Sequence, residues 1–286
     1  MLNFFIGVVC FALILTAIVR ISKMKVREPI STQTNFILTM IFVGLVIGGW
    51  WFVTKGDTIE QRVLVPLILP SPVEVIQAFP RLHVEQGLVR SVALSFQRVG
   101  EGFSLAIIAA LSLGVYMAAF PAISSFFKPL ALIGSYVPIV CLVPLTMAWW
   151  GGGEMQKVGF LFIACFVVLL PLVMKAINNI DPAYLDVAKT KGASQWQLVK
   201  SVLFPVAMPD IWDHLRGVYG VGWGWIILAE VVNSQNGIGY LMSISERRGQ
   251  TASIFAIIIV IVLVATLCDK VWKTIGEKMF PHRRIS

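Results

Sequence analysis

Long apolar runs separated by short polar stretches dominate this chain, and they predict seven helices at about 2–20, 35–54, 96–120, 129–150, 157–178, 209–232 and 250–269. A helix needs about 20 apolar residues to cross the hydrocarbon of a bilayer, and most of these runs meet that length. The first, 1–19, carries no charge and is followed by Arg20, Lys23, Lys25 and Arg27. A cleaved secretion signal has its positive charge first, so this run is expected to span the membrane with the amino terminus outside. The second run ends in Gly48, Gly49, Trp50 and Trp51, and paired indoles suit a membrane interface.

Residues 55–95 are only partly polar. LILPSP at 67–72 ends one element, and a helical pattern from Val73 through Phe79 is expected to lie along the outer surface. Seven crossings that start outside leave the carboxyl terminus inside, with Lys270, Lys273, Lys278, Arg283 and Arg284 in its tail. This topology puts 15 of the 23 Lys and Arg on the cytoplasmic side and 8 outside, as the positive-inside rule requires. Without the first helix there are six spans and the same interior carboxyl terminus. The expected organisation is 1–54, amino-terminal transmembrane helices; 55–95, an extracytoplasmic segment with an amphipathic helix; 96–270, a core domain whose cytoplasmic loop is 179–208; and 271–286, a basic cytoplasmic tail.

With 286 residues, 57% hydrophobic and 13% charged, and a mean hydropathy of +0.83, the chain is too apolar for a soluble globule. The net charge of +8 would suggest nucleic acid in a soluble protein. Here topology accounts for it, and no nucleic-acid partner is expected. Cys10, Cys141, Cys165 and Cys268 all fall in apolar runs without metal-ligand spacing, and His83 and His214 are isolated. There is no GxxxxGK[ST] phosphate loop and no nucleophile, histidine and carboxylate arrangement. The chain therefore reads as a non-catalytic protein with no catalytic residue, metal or cofactor of its own.

The exception to the apolar pattern is Asp181–Pro205, a polar island between long apolar segments. Asp181 can cap a helix that Pro182 opens, and Gly192 can close it in the left-handed conformation. Ser194 is a second cap, for a short helix expected to run to Phe204 and stop at Pro205. On these residues alone the knob is either a solvated loop or an element that another protein grips.

Asp186, Val187 and Ala188, then Gly192, Val202 and Phe204-Pro205, resemble the EAA loop of ABC importer permeases. That pattern reads Glu-Ala-Ala, three residues, Gly, nine residues, Ile, one residue, Leu-Pro. Every spacing fits, with Asp for Glu, Val for the first Ala, and Val and Phe for the Ile and Leu. LPSP at 69–72 and SVALSFQRVGEGF at 91–103 are similar to the nitrate, sulfonate, taurine and bicarbonate branch of these permeases. The resemblance implies an all-α polytopic bundle of the type I importer permease fold, with about six or seven transmembrane helices, in a bacterial inner membrane and its lipid. It implies an ATPase-coupling surface at Asp186, Val187, Ala188, Lys189, Gly192, Ala193 and Pro205. It implies a second permease copy, cytoplasmic ABC ATPase subunits that hold ATP and Mg, an extracytoplasmic substrate-binding protein, and a small anionic substrate.

Gly217, Gly220, Gly222 and Gly224 crowd the sixth run, and Trp223 and Trp225 alternate with the last of them. Gly220 and Gly224 form a small-xxx-small pair, suited to close helix contact or to a translocation path. Glu230 ends that run. An acidic residue at the bilayer centre costs roughly 2.5 to 3.5 kcal/mol, so Glu230 is expected near the outer interface or turned into the bundle, in a structural or gating contact. Permeases of this kind carry a similar Ala-Glu and a Gly-x-Gly-Tyr-Leu like Gly237–Leu241. Arg98 is the candidate for an anion contact, and Arg247 and Arg248 on the last outer loop could receive a ligand or its carrier. The run Gly151–Gly153 before Glu154 fits an outer turn. An ion-gradient-driven secondary transporter is the alternative reading, but it would usually show inverted repeats and more intramembrane ionisable groups.

Overall fold

A computed structural model describes residues 30–56, 58 and 61–281. The first expected span, the basic cluster Arg20–Arg27 and the last tail residues lie outside it. The chain divides into two units at residue 55. In the first, α1 (Thr32–Thr54) starts at Ser31, whose hydroxyl accepts the Thr34 N–H at 3.1 Å. Lys55 lies 5.0 Å over the Trp51 ring, which anchors the helix end.

The second unit opens with an irregular segment that leads into α2 (Pro72–Val84). A capping box holds its start: the Ser71 N–H donates to Glu74 at 2.7 Å, and the Glu74 N–H donates back to Ser71. Arg62 adds an ion pair to Glu74 at 2.9 Å. Val75 and Leu82 are buried while Val73 and Ile76 face outward, as an amphipathic helix requires.

Next come α3 (Leu88–Ala119) and, after two shorter helices, α6 (Glu154–Asn178). At 32 residues α3 is about 48 Å long, more than a bilayer core needs. It begins eight residues before the expected start at 96, because Arg90 rides on a turn that hydropathy does not register. Gly102, Ala106, Ala110 and Gly114 recur every fourth residue along the face that α3 lays on α6. A Cβ on Gly102 would stand 2.6 Å from the Leu161 Cβ, and one on Gly114 would stand 2.9 Å from the Val173 side chain. Apolar burial drives little association inside lipid, so close backbone approach through small residues is what holds such a pair.

The single helix expected at 129–150 is broken. It forms α4 (Pro121–Tyr136), a 3₁₀ turn (Ile139–Cys141) and α5 (Leu142–Trp150), bent by 88° at the break. Pro138 has no N–H and pushes Val137 out of the helical region, to φ −73° and ψ 121°.

Beyond α6 lie α7 (Pro182–Thr190), α8 (Gln195–Leu198), a π-helical turn (Val199–Leu203) and α9 (Phe204–Asn233). The expected stop at Pro205 does not occur. The Phe204 N–H reaches back five residues to the Val199 carbonyl, and this widened turn carries the chain past the proline into α9. Helix α10 (Ile238–Arg247) occupies what the sequence left as an outer loop, and α11 (Thr251–Met279) completes the unit. Among the described residues five helices are long and apolar enough to cross a membrane, or six if the bent α4–α5 pair is one span. Trp212, Tyr219, Phe103 and Trp272 join α9, α3 and α11, and the Trp212 indole donates to the Trp272 carbonyl at 3.0 Å.

Two glycines on one helix separate packing from composition. Gly102→Leu is expected to lower the thermal midpoint of the detergent-solubilised protein by several degrees, since overpacking a tight contact costs about 1–3 kcal/mol. Gly100→Leu, where an added Cβ meets nothing within 4 Å, should leave the midpoint unchanged or raise it slightly, because an uncrowded glycine inside a helix costs about 1 kcal/mol relative to alanine.

Candidate functional site

Two constellations stand at opposite ends of the same helices. At one end the start of α3, the start of α6 and the end of α9 converge. Glu230 on α9 is fully buried, and Arg98 on α3 is only 4% exposed. Arg98 Nη1 donates to Glu230 Oε1 at 2.7 Å and to the Asn236 carbonyl at 2.9 Å. Its Nε and Nη2 form a fork on both oxygens of Glu154, each at 2.6 Å. Ser95, one turn earlier on α3, donates its hydroxyl to the Glu230 carboxylate at 2.7 Å and accepts the Ile238 N–H at 2.9 Å. The Gly239 N–H completes the cradle on Glu230 Oε2 at 2.8 Å.

The glycines of Gly237-Ile238-Gly239 are required by this cradle. Gly237 has a φ of +112°, and a Cβ there would stand 2.5 Å from the Glu230 carboxyl carbon. A Cβ on Gly239 would stand 2.6 Å from the Glu230 Cβ. The loop between α9 and α10 thus closes over the carboxylate as bare backbone. Lys157, one turn into α6, is also buried and donates to the Gly152 and Gly153 carbonyls at 2.8 and 3.1 Å. Chemically the cluster is a latch of paired opposite charges, with no activated nucleophile. Among the described residues no three His, Cys, Asp or Glu side chains gather as a metal site.

At the other end stands the knob. Asp181 caps α7 by accepting the Ala183 N–H at 2.9 Å, with Pro182 in the first turn. Gly192, at φ +79°, closes it: the Gly192 N–H bonds the Lys189 carbonyl at 2.9 Å and the Ala193 N–H bonds the Ala188 carbonyl at 3.1 Å. Those two bonds are a Schellman motif. Ser194 and Gln197 then form a capping box for α8. No residue of α7 is buried, and Tyr184 and Val187 are 55% and 59% exposed. Asp186 and Lys189 form an exposed ion pair at 3.6 Å. Trp196 on α8 stacks on Tyr116 near the end of α3, with centroids 6.2 Å apart.

Of the residues singled out from the sequence, the structure gathers Arg98 and Glu230 at one end and Asp186, Val187, Ala188, Lys189, Gly192 and Ala193 at the other, while Pro205 lies exposed just past the π turn. Four of the five N–H donors of Arg98 are committed to two carboxylates and a carbonyl. Trp223 is buried against Phe96, with ring centroids 6.0 Å apart. At Gly220 and Gly224 an added Cβ would meet nothing within 4 Å among the described residues, so neither marks a close helix contact there. Gly222 is the glycine turned inward, toward Val99 and Cys165. Glu154, Ser95 and Lys157 were missed in the sequence. The available signal was a carboxylate at the head of an apolar run directly after three glycines.

Residues 102–277 match the family of binding-protein-dependent transport system inner membrane components, and the chain belongs to that family. It is 25% identical over 264 residues to the taurine transport system permease protein TauC of Escherichia coli K12, covering 91% of this chain and 94% of that one. It is 30% identical over 227 residues to the putative aliphatic sulfonates transport permease protein SsuC of the same organism, covering 78% and 83%. It is 24% identical over 254 residues to the nitrate import permease protein NrtB of Leptolyngbya laminosa, covering 88% and 91%. Among solved structures, an inward-facing MetNI methionine ABC transporter superposes with a TM-score of 0.60 at 17% identity, covering 67% of this chain and 95% of that one. A bacterial alginate ABC transporter does so with a TM-score of 0.59 at 14% identity, covering 86% and 96%. The chain is accordingly a multi-pass transport permease with the ABC importer permease fold.

Removing one partner from the latch separates its members. Arg98→Met leaves Glu230 charged and buried, at a cost of about 3–5 kcal/mol, whereas Glu154→Gln, at a side chain 68% exposed, should cost roughly 1 kcal/mol or less. The double variant Arg98→Met/Glu230→Met should recover much of the loss. Denaturation in detergent of the wild type, these three variants and the single variant Glu230→Met checks this, and simple additivity of Arg98→Met and Glu230→Met would show that the pair is not coupled.

Proposed function

We propose that this chain forms, with a second copy of itself, the membrane pathway of an ATP-driven importer for a small oxyanion-bearing solute, of the kind that taurine, other sulfonates, nitrate and bicarbonate represent. Relatives named for taurine, aliphatic sulfonates and nitrate support that substrate class. In this reading the knob faces the cytoplasm, the latch faces outward and the carboxyl terminus is inside, as the positive-inside count favours. An ABC ATPase holding ATP and Mg grips α7, and a substrate-binding protein delivers solute at the latch end, where Arg247 and Arg248 stand on α10 and its cap. The open face of α9, with Gly217, Gly220 and Gly224, is where the second copy and the solute path come closest.

The observation that carries this reading is the construction of the knob. Helix α7 buries nothing within the chain, yet every cap around it is satisfied, and α8 runs into α9 without a break. Such caps order any exposed helix; here they also make α7 and α8 a body through which force can pass without melting it, as a lever gripped from outside requires. Closure of the ATPase moves the knob, and packed helices carry the shift as rigid bodies, exchanging outward for inward access.

Gly192 isolates the knob experimentally. A Cβ there would meet nothing within 4 Å, so a substitution acts through backbone conformation alone. A left-handed conformation costs roughly 1–2 kcal/mol for an ordinary residue and more for a β-branched one. In the complex reconstituted with its ATPase and binding protein, Gly192→Val should reduce ATP-driven uptake of the solute about tenfold or more while hydrolysis continues. Gly192→Asn, which tolerates the conformation, should retain most of the uptake. Undiminished transport by Gly192→Val would remove the knob from the mechanism.

A further inference from the structure

Along the seam of α4 and α6 runs a groove that neither the latch nor the knob uses. Its polar end is a cavity of about 380 Å³ at the knob end of the bundle, lined by Lys128 and Ser124 of α4 and Lys175 and Asn178 of α6 over apolar walls that include Leu132 and Met174. Both lysines are exposed, and neither has a carboxylate or hydrogen-bond partner among the described residues. No acidic side chain lines the cavity. Pro171 also lines a second cavity of about 270 Å³ further along the same seam. That one is lined only by apolar residues and glycine, with Val137 and Ile139 on one side and Val167, Val168 and Leu172 on the other. From Lys175 to Val167 the groove follows about 12 Å of helix rise.

The geometry points to a site for one anionic glycerophospholipid, its phosphate between Lys128 and Lys175 and an acyl chain laid along Val137, Val167 and Leu172. Two ammonium groups that no described residue pairs, beside a serine and an asparagine, suit a phosphodiester and the hydroxyls of its glycerol. A small soluble anion could use the polar end, but it would have no use for the apolar continuation. Only a ligand with a charged head and a hydrocarbon tail matches both ends. The break at Pro138 makes the room: α4 stops there, and the chain turns away through the 3₁₀ turn, so the seam stays open beside it. Gly134, in the wall of the second cavity, lets the two helices come close at its floor, where an added Cβ would stand 3.0 Å from the Val167 side chain. Placing the lipid in the cytoplasmic leaflet rests on the orientation proposed above; the site itself does not. Basic pockets between membrane helices on that side are a recurring way to hold anionic head groups.

The test is native mass spectrometry of the full-length protein released from mild detergent, with phosphatidylglycerol or phosphatidylethanolamine added. The wild type should hold one phosphatidylglycerol in preference to phosphatidylethanolamine. Each lysine near an anionic lipid strengthens its hold by roughly fivefold, so Lys128→Gln/Lys175→Gln should weaken retention about tenfold or more. Lys278→Gln, which removes a positive charge from α11 away from the groove, should change nothing. Equal retention of the two lipids, or full retention by the double variant, overturns the proposal. Displacement of the lipid by millimolar glycerol phosphate would also overturn it, in favour of a free-anion site. Retention is read on the permease without its ATPase, so failure here and failure of the coupling reading are separately visible.

Discussion

A charged carboxylate inside a membrane protein has no water to fall back on, and the way Glu230 is neutralised sets the terms for everything around it. Arg98 supplies the opposite charge, but a guanidinium carries five donors, and those left over have to be satisfied as well. Glu154 takes two of them and the Asn236 carbonyl a third. The requirement thereby propagates from α9 to α3, to the head of α6 and to the loop before α10. The same carboxylate demands glycine at 237 and 239, since any side chain there would occupy its space. One buried charge accounts for the position of four elements.

The opposite end of the bundle works under a different constraint. The knob lies among exposed residues and cannot be held by burial, so its order is local: an Asp cap, a proline start, a Schellman closure and a capping box. These devices act within a few residues, and each satisfies backbone groups that packing does not reach. What joins this self-contained piece to the helices is the π turn at Val199–Leu203 and the stack of Trp196 on Tyr116. A knob built by local bonds can be displaced as a body, whereas one built by burial in the bundle could not move without exposing its own core.

That division also explains how much was legible in the sequence. Asp181, Gly192 and Ser194 announce their roles because capping depends on neighbours two to five residues away, and the helices behind long apolar runs announce theirs by length. Pro205 misled because a proline ordinarily ends a helix, and only the widened turn before it reveals that this one does not. Pro138 was hidden the other way, inside an apolar run with no polar residue to mark the break. The partnership of Arg98 with Glu154 and Glu230 spans 56 and 132 residues of sequence, and nothing local encodes it. Gly222 and Gly224 look alike in the chain, yet one faces Val99 and Cys165 and the other faces outward, a distinction that only the rotation of α9 makes.

Helix α9 belongs to both constraints. Its far end is pinned through Glu230 to α3 and, by way of Arg98, to α6; its near end continues the knob. From Phe204 to Glu230 it rises about 39 Å. A rod held at one end and pushed at the other tilts, so a displacement at the knob becomes a rotation about the latch with little movement at the latch itself. The face that sweeps through space in such a tilt carries Gly217, Gly220 and Gly224, where an added Cβ would meet nothing within 4 Å among the described residues. Glycine in a helix costs about 1 kcal/mol relative to alanine when nothing approaches it. Three of them on one open face make physical sense where another surface has to come close and to slide, which is what the tilt would require.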